Sequence, residues 1–201
     1  MALKRDIITS AIGIVVLTLF CGILYPLLIT GVSQVAFPGN ANGQRVYVNG
    51  QLVGSKLIGQ NFGGNSRYFQ SRPSATTPPN NAAATTFSNL GPNSIATEHA
   101  IATNIRAYLR LNRPYDPRLT TANVPVDAAN SSASGIDPDI SVANADIQAR
   151  RVAAVRHLSL STVMKLVAKY TGGRGLGFSG EPGVNVLELN LALDRMIGGH
   201  A

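Results

Sequence analysis

IITSAIGIVVLTLFCGILYPLLITGVSQV, residues Ile7 to Val35, carries no charged side chain, and none separates Asp6 from Arg45. A hydrocarbon core about 30 Å thick takes ~20 residues of helix at 1.5 Å each. The run is long enough to cross, with tilt or a kink where Pro26 removes a backbone donor. A secretory h-region is shorter, at about 7–15 residues. A lipoprotein site wants a small residue before the cysteine, and Phe20 precedes Cys21. A core helix of a soluble protein has a polar face, and this stretch has none. The reading that remains is a single N-terminal transmembrane helix.

The expected division is a cytoplasmic N-terminus over residues 1–6, a span over 7–35 and a globular domain over 36–201. Lys4 and Arg5 precede the span and Arg45 is the first cation after it, which favours an inside N-terminus and an exported domain. Thr18, Gly22 and Pro26 fall at i, i+4 and i+8, a narrow face on which another membrane helix could pack. Cys21 is the only cysteine, so no disulfide or thiolate metal site forms within one chain. The net charge of +7 is scattered rather than blocked, and it selects no partner by itself.

Outside the span the residues describe a mixed α/β (α+β) domain. Arg45–Val48 and Gln51–Val53 flank Asn49-Gly50, the pair that suits a two-residue I′ hairpin turn. Residues 76–93, rich in Thr, Pro, Asn and Ala, read as a long surface loop. A helix is expected over 94–112, striped by Ile101, Ile105, Tyr108 and Leu109, with Arg106, Arg110 and Arg113 along another face. Ser141 is a plausible N-cap for a helix reaching His157, with Ala145, Gln148, Val152 and Val155 inward and Arg150, Arg151 and Arg156 on other faces. A further helix fits 161–170. The segment around 185–195 can be written as strand or helix; Val186, Leu189, Asn190 and Leu193 make one helical face, and helix is the choice.

Catalytic motifs are hard to find. GLGFSG, residues 175–180, fits GxGxxG, but Pro182 and Gly183 follow where a helix should open, so a glycine-rich turn is the better account. Neither a Walker A sequence nor GxSxG occurs. His99, His157 and His200 are too dispersed to suggest zinc. Asp137 and Asp139 lack the EF-hand pattern around them. Two functional readings stay open on these residues: a signal-anchored exported hydrolase using Ser134, Asp137 and a distant His, and a basic binder of membrane surface or nucleic acid. Arg72, Arg106 and Asp137, polar and in or beside expected surface loops, are the candidate partner contacts.

GSKLIGQNF (54–62), YFQSRPSA (68–75), SASGIDPDIS (132–141), QARRVA (148–153) and LGFSGEPGVNVLELNLALD (176–194), in this order behind the anchor, resemble the KdpC family of the Kdp-type bacterial potassium-transporting ATPase. Ile136 stands where that family commonly has Leu, and Asp139 where it has His or Asn. The resemblance implies a small subunit of an inner-membrane complex, beside a channel-like potassium subunit, a P-type ATPase subunit and a small fourth one. It implies no nucleic-acid partner. The chain lacks the DKTG phosphorylation motif, so it is not the hydrolysing subunit. The family is described as a catalytic chaperone that raises the ATP affinity of that subunit, partly through a glutamine, and Gln148 is the matching candidate for nucleotide contact. ATP would then be met through the hydrolysing subunit, and no metal or other cofactor is implied.

Overall fold

The computed structural model describes residues 2–86, 89–175 and 177–198. The chain divides into two compact units, Met1–Arg45 and Val46–Ala201. The first is dominated by one helix, α1 (Ala2–Ala36), whose most apolar window has a mean hydropathy of 2.6 and no residue buried against protein. Its 35 residues exceed what a bilayer core requires. Inside α1, Thr18–Leu24 form a wider π-helical turn in which the Tyr25 N–H reaches back to the Phe20 carbonyl. Pro26 explains the location: its ring crowds the carbonyl four residues earlier, and a widened turn clears that crowding without breaking the helix. Thr18 and Gly22 remain neighbours, since a Cβ on Gly22 would lie 3.8 Å from Thr18 Cγ2.

A two-stranded ribbon, β1 (Arg45–Val48) and β2 (Gln51–Ser55), follows and belongs to the second unit from Val46 onward. Asn49 and Gly50 both have positive φ, 50° and 77°, as the I′ turn demands. Helix α2 (Ile95–Asn112) begins at Ser94, whose side chain accepts from the Ala96 N–H. Its expected apolar stripe is only half-buried; Asn112 is the one fully buried residue on it. The core instead forms between α3 (Val142–Arg156), α4 (Leu160–Lys169) and α5 (Val186–Gly198), laid on a small antiparallel sheet.

That sheet has the order β3-β5-β4, from Asp139–Ser141, Gly183–Asn185 and Thr171–Gly172. Ile140 faces Val184 across β3 and β5, and both are buried among Ala149, Val152, Val163, Val167, Leu189 and Leu193. The ambiguous segment resolves into both alternatives: strand to Asn185, helix from Val186, with Asn185 Oδ1 accepting from the Glu188 N–H. Ser141 caps α3 through the Asn144 N–H, and His157 closes it in the left-handed region at φ 57°.

Arg151 and Arg156, expected on faces of α3 away from the core, are instead 0% and 6% exposed. The irregular segment from Ser66 to Gln70 lies over that side of the helix, and its backbone carbonyls give buried guanidinium groups somewhere to donate. GLGFSG forms a glycine turn with Gly177 and Gly180 at φ 83°; its Leu176 lies outside the described residues, as do His200 and, within the long loop, Phe87 and Ser88.

Candidate functional site

Ser66 to Arg72 belong to no strand or helix, and Phe69 among them is wholly buried. Buried backbone polar groups need partners. Here side chains supply them. Asn190 on α5 takes the Phe69 N–H on Oδ1 and donates Nδ2 to the Phe69 carbonyl, both at 2.9 Å. Gln148 on α3 does the same for the next residue: Oε1 accepts from the Gln70 N–H at 2.7 Å, and Nε2 donates to its carbonyl at 3.1 Å. Each amide pairs with the backbone as a neighbouring strand would.

Arg151 completes the clamp. Its guanidinium donates to the Ser66 carbonyl (2.7 Å), the Tyr68 carbonyl (2.9 Å), Asn112 Oδ1 (2.9 Å) and Gln148 Oε1 (2.8 Å). The hydrogen-bond acceptors are all neutral. Burial pulls this group down to about 10, partly offset by Tyr108 and Tyr115. It therefore stays a cation at neutral pH, held by aligned carbonyl dipoles. Arg156 ties the same run from the other end, through the Arg67 carbonyl at 2.6 Å and Asp194 at 2.9 Å, with its guanidinium 4.9 Å above the Tyr68 ring.

The network continues outward. Asn144 Oδ1 accepts from Gln148 Nε2 and from the Tyr108 hydroxyl, each at 2.9 Å, while Asn144 Nδ2 donates to Asp127 at 2.9 Å. Burial pushes the Tyr108 phenol well above its usual range, with Asp127 adding to the effect, so it remains a donor.

Gln148, the candidate for nucleotide contact, is thus 1% exposed, with both ends of its amide engaged inside the protein. Arg72 and Asp137 come together, Nη1 to Oδ2 at 2.9 Å, both partly exposed. Gly59 makes that junction possible: its N–H bonds to the Ile136 carbonyl at 2.7 Å, and a Cβ there would sit 2.4 Å from the Asp137 carbonyl oxygen. Arg106 lies elsewhere, exposed on α2 and donating to Thr103 Oγ1 at 3.0 Å. Asp139 sits at the edge of the small sheet, where burial raises its carboxyl despite a hydrogen bond from Asn185.

A cleft of about 650 Å³ opens beside the clamped run, bordered by Phe62, Gln70, Arg72, Asn104, Tyr108 and Arg110, with no carboxylate in its lining among the described residues. Such a lining suits an anionic or hydrogen-bonding group of a partner. Among the described residues the hydrolase arrangement is not assembled. Ser134 Oγ accepts from the Ile136 N–H in its own turn, Asp137 pairs with Arg72, and neither His99 nor His157 is bonded to them. Among the described residues no three His, Cys, Asp or Glu side chains group as metal ligands.

Sequence reading did not find the roles of Asn144, Arg151 and Arg156. A signal existed: Asn144, Gln148 and Arg151 repeat at i, i+4 and i+7, the spacing of a buried helix face written in polar residues.

Among the described residues, one long apolar N-terminal helix followed by a mixed α/β domain fits a single-pass membrane protein. The family model described as K+-transporting ATPase, c chain, matches residues 7–195. The chain belongs to the KdpC family. The potassium-transporting ATPase KdpC subunit of Methylococcus capsulatus is 50% identical over 184 residues, covering 91% of this chain and 94% of its own length. Those of Herminiimonas arsenicoxydans and Mycobacterium tuberculosis are each 45% identical, cover 96% of this chain, and are themselves covered over 99% and 100% of their lengths. The chain is therefore similar throughout to a subunit of a potassium-transporting ATPase, and the hydrolase alternative is not favoured.

Proposed function

We propose that this chain is an accessory, non-catalytic subunit of an ATP-driven potassium uptake complex. It assists assembly and raises the ATP affinity of the P-type ATPase subunit without hydrolysing ATP itself. Its partners are that ATPase subunit, a channel-like potassium subunit and a small fourth subunit, all in the bacterial inner membrane. Helix α1 anchors it with the N-terminus in the cytoplasm and the domain in the periplasm, a topology supported by Lys4 and Arg5 before the span.

The observation that carries this reading is how the resembling motifs are used. Gln148, Arg151 and Asn190 are spent on fixing one irregular segment, which leaves a rigid surface with Arg72, Asp137 and the arginine-lined cleft facing outward. Gln148 is a positioning residue in this scheme, and ATP is met by the ATPase subunit. Thr18, Gly22 and Pro26 are proposed as the packing face toward a neighbouring membrane helix.

Deleting residues 7–35 tests the assembly role: the domain should no longer co-purify with the other subunits, and undiminished co-purification would count against it. Gln148→Met in the complete complex tests the ATP role. A positioning residue predicts a raised KM for ATP, kcat retained, and faster proteolysis near residues 66–72. A raised KM with unchanged proteolysis would instead indicate direct nucleotide contact. Protease accessibility of the domain in intact spheroplasts checks the topology.

A further inference from the structure

The ribbon β1–β2 leaves large apolar side chains open to solvent. Tyr47 is 52% exposed, Leu52 56%, Val53 38% and, just beyond β2, Leu57 50%. A two-stranded ribbon is marginal alone. The two-residue turn sets Tyr47 across from Leu52 on one face, with Val53 on the other, and a pair of large apolar side chains so exposed is a sign of a missing neighbour. Its chemistry narrows what that neighbour is. From Phe37 to Leu57 there are two cations, Arg45 and Lys56, the second paired with Glu188, no carboxylate, and an aromatic hydroxyl at Tyr47. That mixture of amphipathic aromatic, aliphatic and basic side chains is what the membrane–water boundary selects.

Covalent connection supplies the second argument. α1 ends at Ala36 and β1 begins at Arg45. Only residues 37–44 intervene, so the ribbon is the first strand element to follow the anchor helix along the chain.

We infer that the β1–β2 ribbon seats on the lipid bilayer that holds α1, with Tyr47 and Leu52 at the boundary between headgroups and acyl chains. The ribbon then acts as a second, shallow contact with the membrane and restricts how the domain swings on its tether. This inference goes beyond the proposed function, and it holds for either leaflet.

The chain has no tryptophan, so one introduced indole reports a single position. The full chain carrying Tyr47→Trp is reconstituted in phosphatidylcholine–phosphatidylglycerol vesicles, with and without bromine on the acyl chains. Phe178→Trp, at a side chain 75% exposed in the glycine turn, is the reference. Seating predicts blue-shifted emission at position 47 and loss of about half its intensity on brominated lipid, as burial ~5–10 Å into the boundary requires. The reference should keep its intensity. Leu52→Trp repeats the test should Tyr47→Trp fail to fold. Unquenched, water-like emission at position 47 overturns the inference, and so does equal quenching at position 178. Quenching by the chain alone that vanishes in the complete complex overturns lipid as the occupant and assigns the face to a neighbouring protein. Each of these outcomes leaves the co-purification and ATP tests above unaffected.

Discussion

The ribbon β1–β2 and the run Ser66–Arg72 invert the usual relation between regularity and burial. The ribbon has a strand ladder and a tight turn, yet most of its side chains face outward. The run has neither strand nor helix, yet it holds a wholly buried phenylalanine. The difference lies in who supplies the hydrogen bonds. The ribbon pairs the inner backbone edges of its two strands with each other. The run takes the backbone bonds described above from three side chains of α3 and one of α5, which ties α3 and α5 to a common strip of chain. Order in this domain follows partner supply rather than secondary structure.

Arg151→Met should break the contrast most severely. It orphans two carbonyls and removes the shared donor to Asn112 and Gln148, at a cost of about 3–5 kcal/mol in denaturant unfolding followed by circular dichroism. Asn190→Leu keeps the volume but leaves the Phe69 N–H and carbonyl unpaired, and should cost about 2–3 kcal/mol in the same assay. Gly59→Ala forces a methyl against the Asp137 carbonyl and should lower the unfolding midpoint by the equivalent of about 1–3 kcal/mol. On the ribbon, Leu52→Ser should change stability by no more than about 0.5 kcal/mol, since that side chain is already exposed.

The same contrast explains what the sequence makes legible. The helices announce themselves through caps and stripes: Ser94, Ser141 and Asn185 each accept the backbone N–H that their positions suggest. Asn49-Gly50 fixes the hairpin because only residues tolerant of positive φ fit there. Strands of two or three residues, such as β4 and β5, are too short for alternation to register, so Val184 is hard to separate from the helix that follows it. The clamp is hidden for another reason. Arg151 reads as surface by residue type, and only the distant chain segment laid over α3 turns it into a buried donor. Arg72 and Asp137 are legible one at a time as loop residues, whereas their pairing across 65 positions is not.

Amide hydrogen exchange resolved at Phe69 and Gln70 tests the clamp most directly, since those two N–H groups belong to no ladder and end on the side chains of Asn190 and Gln148. Both should exchange only on global unfolding, and Asn190→Leu should release Phe69. Exchange at Phe69 and Gln70 in the wild-type protein as fast as at exposed loop amides would contradict the account.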